Sequence, residues 1–200
     1  VTVGFGNTND GDMADIHVDD DIWIKDAIIV SYDKEGNVLN KNAFGSSGHD
    51  EFNNLIEVSD GYIAVGQVIN NDLDLADTGK SGAIIVKYDK SLNFEKYITV
   101  DNSSNVLNDI ILDNDKIIVV GNVIDNNLYT DGIILEITSD LEIVKEERFN
   151  GNNSDVFYAV IEKDNDYLVL GGTYSKGESI SDVVDPYSKG NQDAIIVSYD

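Results

Sequence analysis

Two short loops of this 200-residue chain concentrate hard oxygen donors. Asn7, Asn9, Asp10, Asp12 and Asp15 stand in the first, and Asp72, Asp74 and Asp77 stand in the equivalent loop of the next repeat unit. Calcium takes such oxygens in sets of about six to eight, so it is the one cofactor these residues suggest. Neither loop follows the EF-hand spacing, because the sixth position, which must be glycine there, is Asp12 or Asp77. The competing reading is a solvated acidic loop, which an acid-rich chain produces by composition alone. His17, among Asp15, Asp19, Asp20 and Asp21, has the ligand types for a transition metal against the same bland alternative. No nucleophile elbow, glycine-rich phosphate loop or zinc spacing is present.

Asp50 and Asp155 occupy matching positions just before apolar runs, with Asn105 close to the third such place. Two carboxylates about 5 to 9 Å apart would suit glycoside hydrolysis. A carboxylate that repeats with the fold more simply caps its own turn by accepting backbone N–H bonds, whereas a catalytic site should break the repeat. His49 reads as a surface turn residue, and Tyr32, Tyr88 and Tyr199 as packing residues. Trp23, Tyr174 and Tyr187 do break the repeat. On variable loops their rings would stack on a glycan or anchor a protein.

Thirteen basic residues against 38 acidic ones leave a net charge of −25. A surface of that sign repels nucleic acid and anionic membranes and favours cations and basic partners. With 42% hydrophobic residues, the chain has the apolar side chains needed to fold. It has no cysteine, hence no disulfide framework, and no apolar run near the roughly 18 residues that cross a bilayer. The opening residues lack the features of a signal peptide, so the expectation is a fragment separated from its targeting segment.

The elements that hold these residues announce themselves by repetition. DAIIVSYD at Asp26–Asp33 returns as GAIIVKYD at Gly82–Asp89, DGIILEIT at Asp131–Thr138 and DAIIVSYD at Asp193–Asp200, at spacings of 56, 49 and 62 residues. Between the copies run VTVG (Val1–Gly4), GYIAVG (Gly61–Gly66), KIIVVG (Lys116–Gly121) and DYLVLG (Asp166–Gly171). β-Branched and aromatic residues dominate, and no segment keeps a helical apolar period. In the best-formed unit, Phe52–Ser59 and Gly61–Val68 flank Asp60-Gly61, a hairpin signal whose two central residues tolerate positive φ. Ala83–Asp89 and Phe94–Val100 follow. Four antiparallel strands per unit predict an all-β chain, and repeats of this length argue for β-propeller blades over a sandwich or a solenoid. The array spans 1–200, as a partial blade 1–50, blades 51–103 and 104–153, and a partial blade 154–200, with 14 strands expected.

FGSSGHDEFNNLIEVSDGYIAVGQV (Phe44–Val68), followed by GAIIVKYDKSLNFEK, resembles the bacterial SBBP-type β-propeller repeat. That repeat has a glycine-rich turn, a strand, an Asp-Gly hairpin, an aliphatic strand ending in glycine and an Asp-Ala-x-Val-x-Lys-x-Asp strand. Asp101–Ser104 departs by lacking the turn glycines, and Thr173–Gln192 is longer than usual. The resemblance implies that strands opening at Phe52, Val106 and Val156 are innermost. It also implies an open arc or partial propeller, which would close against a second copy or against further sequence. The function it implies is a non-enzymatic extracellular binding or structural module, mediating protein or glycan contacts at a bacterial cell surface. The alternative is a glycan-active enzyme with carboxylates at the propeller pore.

Overall fold

Short apolar runs punctuated by Asp, Asn, Ser and Gly become strands, and the turn residues fall between them. The computed structural model describes residues 1–7, 10–14, 16, 24–76, 80–100, 105–124, 128–164, 166–174 and 192–200. Among these residues 14 antiparallel strands form four open sheets, two of three strands and two of four. The chain divides into two compact units, Val1–Val106 and Leu107–Asp200.

Unit 1 holds β1 (Thr2–Gly6), β2 (Asp26–Tyr32) and β3 (Val38–Phe44) in one sheet. A second sheet, in order, holds β4 (Glu51–Glu57), β5 (Gly61–Val68), β6 (Gly82–Asp89) and β7 (Phe94–Val100). Ala27 and Ile29 of β2 meet Ile84, Val86 and Tyr88 of β6 in one core, joined by Phe44, Phe52 and Leu92. Successive strand residues face opposite ways. The first sheet therefore contributes its Ala27/Ile29 face, and the second contributes the opposite face of the repeated phrase.

Unit 2 holds β8 (Val106–Asp113), β9 (Lys116–Ile124), β10 (Thr130–Ile137) and β11 (Ile143–Phe149) in one sheet. Its second sheet holds β12 (Asp155–Lys163), β13 (Asp166–Thr173) and β14 (Asp193–Tyr199). Here Ile134 of β10, which stands where Ile29 stands in β2, meets Ile195 and Tyr199 of β14. Each unit thus stacks one face of a sheet on the opposite face of the next. An AIIV phrase that is apolar at every position serves a strand that must offer both faces.

The turn between third and fourth strands is built alike in three repeats. Asp33 Oδ1 accepts the backbone N–H of Glu35 and Asn37, and Asp89 Oδ1 accepts those of Ser91 and Asn93. The Asn37 and Asn93 side chains donate to the second carboxylate oxygen, and these bonds hold both carboxyls below the usual value. Thr138 does the same with a hydroxyl, accepting from Asp140 and Glu142. The residue before the last turn position is left-handed in each: Gly36 at φ 89°, Leu92 at 62° and Leu141 at 59°. Leu92 bears that conformation because its side chain is 1% exposed in the core of unit 1. Leu92→Gly is expected to relieve the backbone yet still destabilise unit 1 by about 2 kcal/mol, since the lost leucine outweighs the relieved strain. A urea midpoint equal to or above wild type would show instead that the strain outweighs the packing.

One turn differs from expectation. The β4–β5 hairpin is centred on Ser59-Asp60, with Val58 and Gly61 exchanging backbone bonds of 3.0 and 3.4 Å. Neither Asp60 nor Gly61 takes positive φ. Gly61 opens β5, where an added Cβ would lie 1.8 Å from the Tyr88 carbonyl oxygen. Close approach of β6, not turn geometry, requires the glycine.

Candidate functional site

Asp50 stands at the centre of the most elaborate polar assembly of unit 1. It precedes β4, is 1% exposed, and accepts from the Ser46 backbone N–H and from Ser46 Oγ at 2.9 and 3.0 Å. Its Oδ1 also accepts the Ile69 N–H at 2.9 Å. Ser46 Oγ in turn accepts the N–H groups of Gly48 and Asn70. Burial pushes the Asp50 carboxyl up, Asp72 adds to the rise, and the bonds from Ser46 and Ile69 oppose it. Asp26, at the head of β2, is wholly buried beside it. Asp26 Oδ1 and Asp50 Oδ2 lie 2.6 and 2.8 Å from the point where a Cβ on Gly45 would sit, so the glycine makes room for two carboxyls.

The repeat varies this pair together. Asp26 at the head of β2 goes with Asp50, and Asp131, the second residue of β10, goes with Asp155. Where glycine (Gly82) heads β6, an amide, Asn105, replaces the second acid. Asp155 is wholly buried and accepts a hydrogen bond from Thr173 Oγ1, and Asn105 Nδ2 donates to the Val100 carbonyl at 3.5 Å. Asp50 and Asp155 belong to different units, and each accepts hydrogen bonds from its own neighbourhood.

The acidic loop after β5 closes the same glycine turn. Asp72 accepts from Ser47 N at 2.8 Å and from Ser47 Oγ at 2.6 Å, bonds that hold its carboxyl below the usual value. Asp74 Oδ2 accepts the Gly45 N–H at 3.0 Å, and Leu75, fully buried, pins the short 3-10 turn Leu73–Leu75. Asp72 and Asp74 therefore staple the turn at Gly45–Ser47. In the N-terminal loop, Asp10 precedes the 3-10 turn Gly11–Met13, and Lys41 Nζ donates to the backbone carbonyls of Asp12 and Ala14. Asn7 is exposed just after β1. Asn9, Asp15, His17 and Asp77 lie outside the described residues. Among the described residues no three His, Asp or Glu side chains converge as a metal centre.

Of the aromatics expected to bind, Trp23 and Tyr187 lie outside the described residues. Tyr174 follows β13, is 45% exposed, and donates its backbone N–H to the Ser154 carbonyl. The other side of Ser154 holds the segment next to exposed Tyr129, through Thr130 N to Ser154 Oγ at 3.3 Å. Tyr158, also exposed, accepts a 3.0 Å bond from Gln192 at its hydroxyl. Sequence reasoning overlooked Tyr129 and Tyr158, and the signal it lacked was their adjacency to Ser154 and Gln192.

It also overlooked a cleft of about 330 Å³ in unit 2, lined by Lys145, Arg148 and Phe149 of β11, Phe157 of β12, and Val197 and Tyr199 of β14. Lys145 Nζ lies 4.6 Å from the centre of the Tyr199 ring. The position shared by Phe44 and Phe149 in the repeat was the available clue.

Fold and sites together define an all-β repeat protein of three- and four-stranded antiparallel sheets. No protein-family model matches the chain, and no curated protein compared with it is similar.

Proposed function

We propose that the chain is a non-enzymatic binding and structural module, built as consecutive blades of a β-propeller and displayed outside a bacterial cell. The observation that carries the reading is the head-to-tail stacking within each unit, where one sheet face meets the opposite face of the next sheet. Contacts of that kind repeat without limit and close into rings when the rotation permits. The SBBP-type resemblance of Phe44–Val68 supports the same architecture. The bonds that Asp50, Asp72 and Asp74 accept from turn N–H and hydroxyl groups support a structural use of acids that an enzyme would need free.

Binding falls to the loop end of unit 2, where Tyr129, Tyr158 and Tyr174 expose ring surface beside Ser154 and Gln192. Rings flanked by amide and hydroxyl groups suit a glycan or a protein loop. A glycan array and a pull-down with the parent protein test the proposal. Retention is expected, with Tyr174→Ala weakening it about tenfold, as the loss of one aromatic contact of roughly 1.4 kcal/mol gives. Release of reducing ends that disappears in Asp50→Asn would instead make the protein a glycan-active enzyme.

A further inference from the structure

Four leucines are left-handed among the described residues, and burial compensates only two of them. Leu92 and Leu141, in the turns before the fourth strands, are 1% and 3% exposed. Leu73, at φ 50°, and Leu128, at 67°, lie in the loops before the third strands and are 49% and 84% exposed. The strain at Leu73 is avoidable, because the first repeat builds the same short turn with glycine. Gly11–Met13 lies between Asp10 and Ala14 as Leu73–Leu75 lies between Asp72 and Ala76, and Gly11 takes φ 57°. A leucine held in a conformation that suits glycine, with about half its surface in water, carries a strain that the packing of unit 1 does not offset.

The surface around Leu73 is braced. Asp72, Asp74 and Asn70 bond its loop to the turn Gly45–Ser47, Asn70 donating from Nδ2 to Ser47 Oγ at 2.9 Å. Ile69, 43% exposed, closes on Gly48, where an added Cβ would lie 2.8 Å from the Ile69 Cβ. Two exposed aliphatic side chains thus share one tied-down platform. We propose that this platform is a docking site for a basic protein segment, with Leu73 as the anchor that meets an apolar side chain standing between lysines or arginines. Charge selects that partner. Asp72 and Asp74 flank Leu73, and the bonds from Ser47 hold the Asp72 carboxyl below its usual value, so it is charged at neutral pH. No lysine or arginine occurs in the chain between Lys41 and Lys80. Lys25, whose backbone bridges to His49, sends its ammonium over the Phe5 ring, 3.9 Å from the centre. A loop ordered before binding spares the complex the cost of ordering it. The inference does not depend on the tyrosine site of unit 2.

The test is titration of the 200-residue chain with the synthetic peptides GKRXKRG, where X is leucine, phenylalanine or tryptophan, followed by amide NMR shifts. The expected result is saturable shifts at Ser47–His49 and Ile69–Asp74, with binding that weakens as salt rises. Glycine at X should weaken binding at least tenfold. Leu73→Gly should weaken the apolar peptides as much, while its urea midpoint stays at or above wild type, a combination that a packing role for the leucine would not give. Leu73→Asn, a residue type that also adopts this conformation, should behave alike and repeats the measurement without a new glycine in the loop. Glycine at X binding as tightly as the apolar residues would reduce the contact to charge alone and overturn the proposal. So would the absence of saturable shifts at these residues, a Leu73→Gly chain that binds as wild type does, or a Leu73→Gly midpoint below wild type.

Discussion

Gly66→Ala is expected to lower the stability of unit 1 by about 3 kcal/mol or more, whereas Gly4→Ala, the same change at the same repeat position, should leave it unaltered. Both glycines end the aliphatic phrase, and both pair with the isoleucine that follows alanine in the neighbouring strand, Ile84 and Ile28. They differ in what lies on the other side. Next to Gly66, β4 shifts register between Phe52 and Asn54, and this bulge turns the Glu51 carbonyl oxygen to within 1.9 Å of where a Cβ would be. Backbone cannot rotate away as a side chain can, so β4 and β5 would have to separate. Gly171 repeats the arrangement, with a bulge between Phe157 and Ala159 and the Val156 oxygen at 2.5 Å. Around Gly4 nothing lies within 4 Å. Urea unfolding of the two variants beside wild type measures the difference. A Gly66→Ala midpoint within error of wild type would refute the bulge as the reason for the glycine.

This contrast marks how far the sequence could be read. The four recurring phrases identified strands, and β5 and β7 run between the very residues expected of them. The glycine ending the phrase was visible as a pattern, but its cause lies in a bulge on another strand, which no local window contains. The limit is sharpest in β2 and β14, which share the sequence DAIIVSY. β2 buries Ile29 completely and leaves Tyr32 43% exposed, whereas β14 leaves Ile196 64% exposed and buries Tyr199 to 8%. Seven identical residues are buried differently, since β2 buries neighbours on both faces, Ile29 and Val30, whereas β14 buries Ile195 and Tyr199 on one. The turn role of Asp50 was legible because Ser46 lies four residues before it, whereas its bond from the Ile69 N–H was not. The cleft in unit 2 was not, since its lining comes from β11, β12 and β14, strands far apart in sequence. Asp26 was hidden for a related reason: it meets Asp50 only when two sheets stack.

That buried meeting gives the second large effect. Asp50→Ala is expected to destabilise unit 1 by about 3 kcal/mol, because it strands the buried Ser46 donors and the Ile69 N–H at once. Asp50→Asn should cost about 2 kcal/mol at neutral pH, since its NH2 group must face a backbone donor. The two variants also separate hydrogen bonding from charge. Burial raises the Asp50 carboxyl above its ordinary value of 3.8, and the charge of Asp72 pushes the same way. The folded unit therefore holds this proton more tightly than the unfolded chain does. The stability this confers is full below pH 3.8 and is lost as pH rises through the higher folded-state value. Wild-type unit 1 should thus weaken as pH rises from 3.8 through that higher value, and part of that slope should vanish in Asp50→Asn. The general self-repulsion of a chain with charge −25 weakens the fold over the same range in both proteins, so it cancels in the comparison. A slope unchanged in Asp50→Asn but flattened in Asp26→Asn would move the titrating proton to Asp26, the other carboxyl beside Gly45.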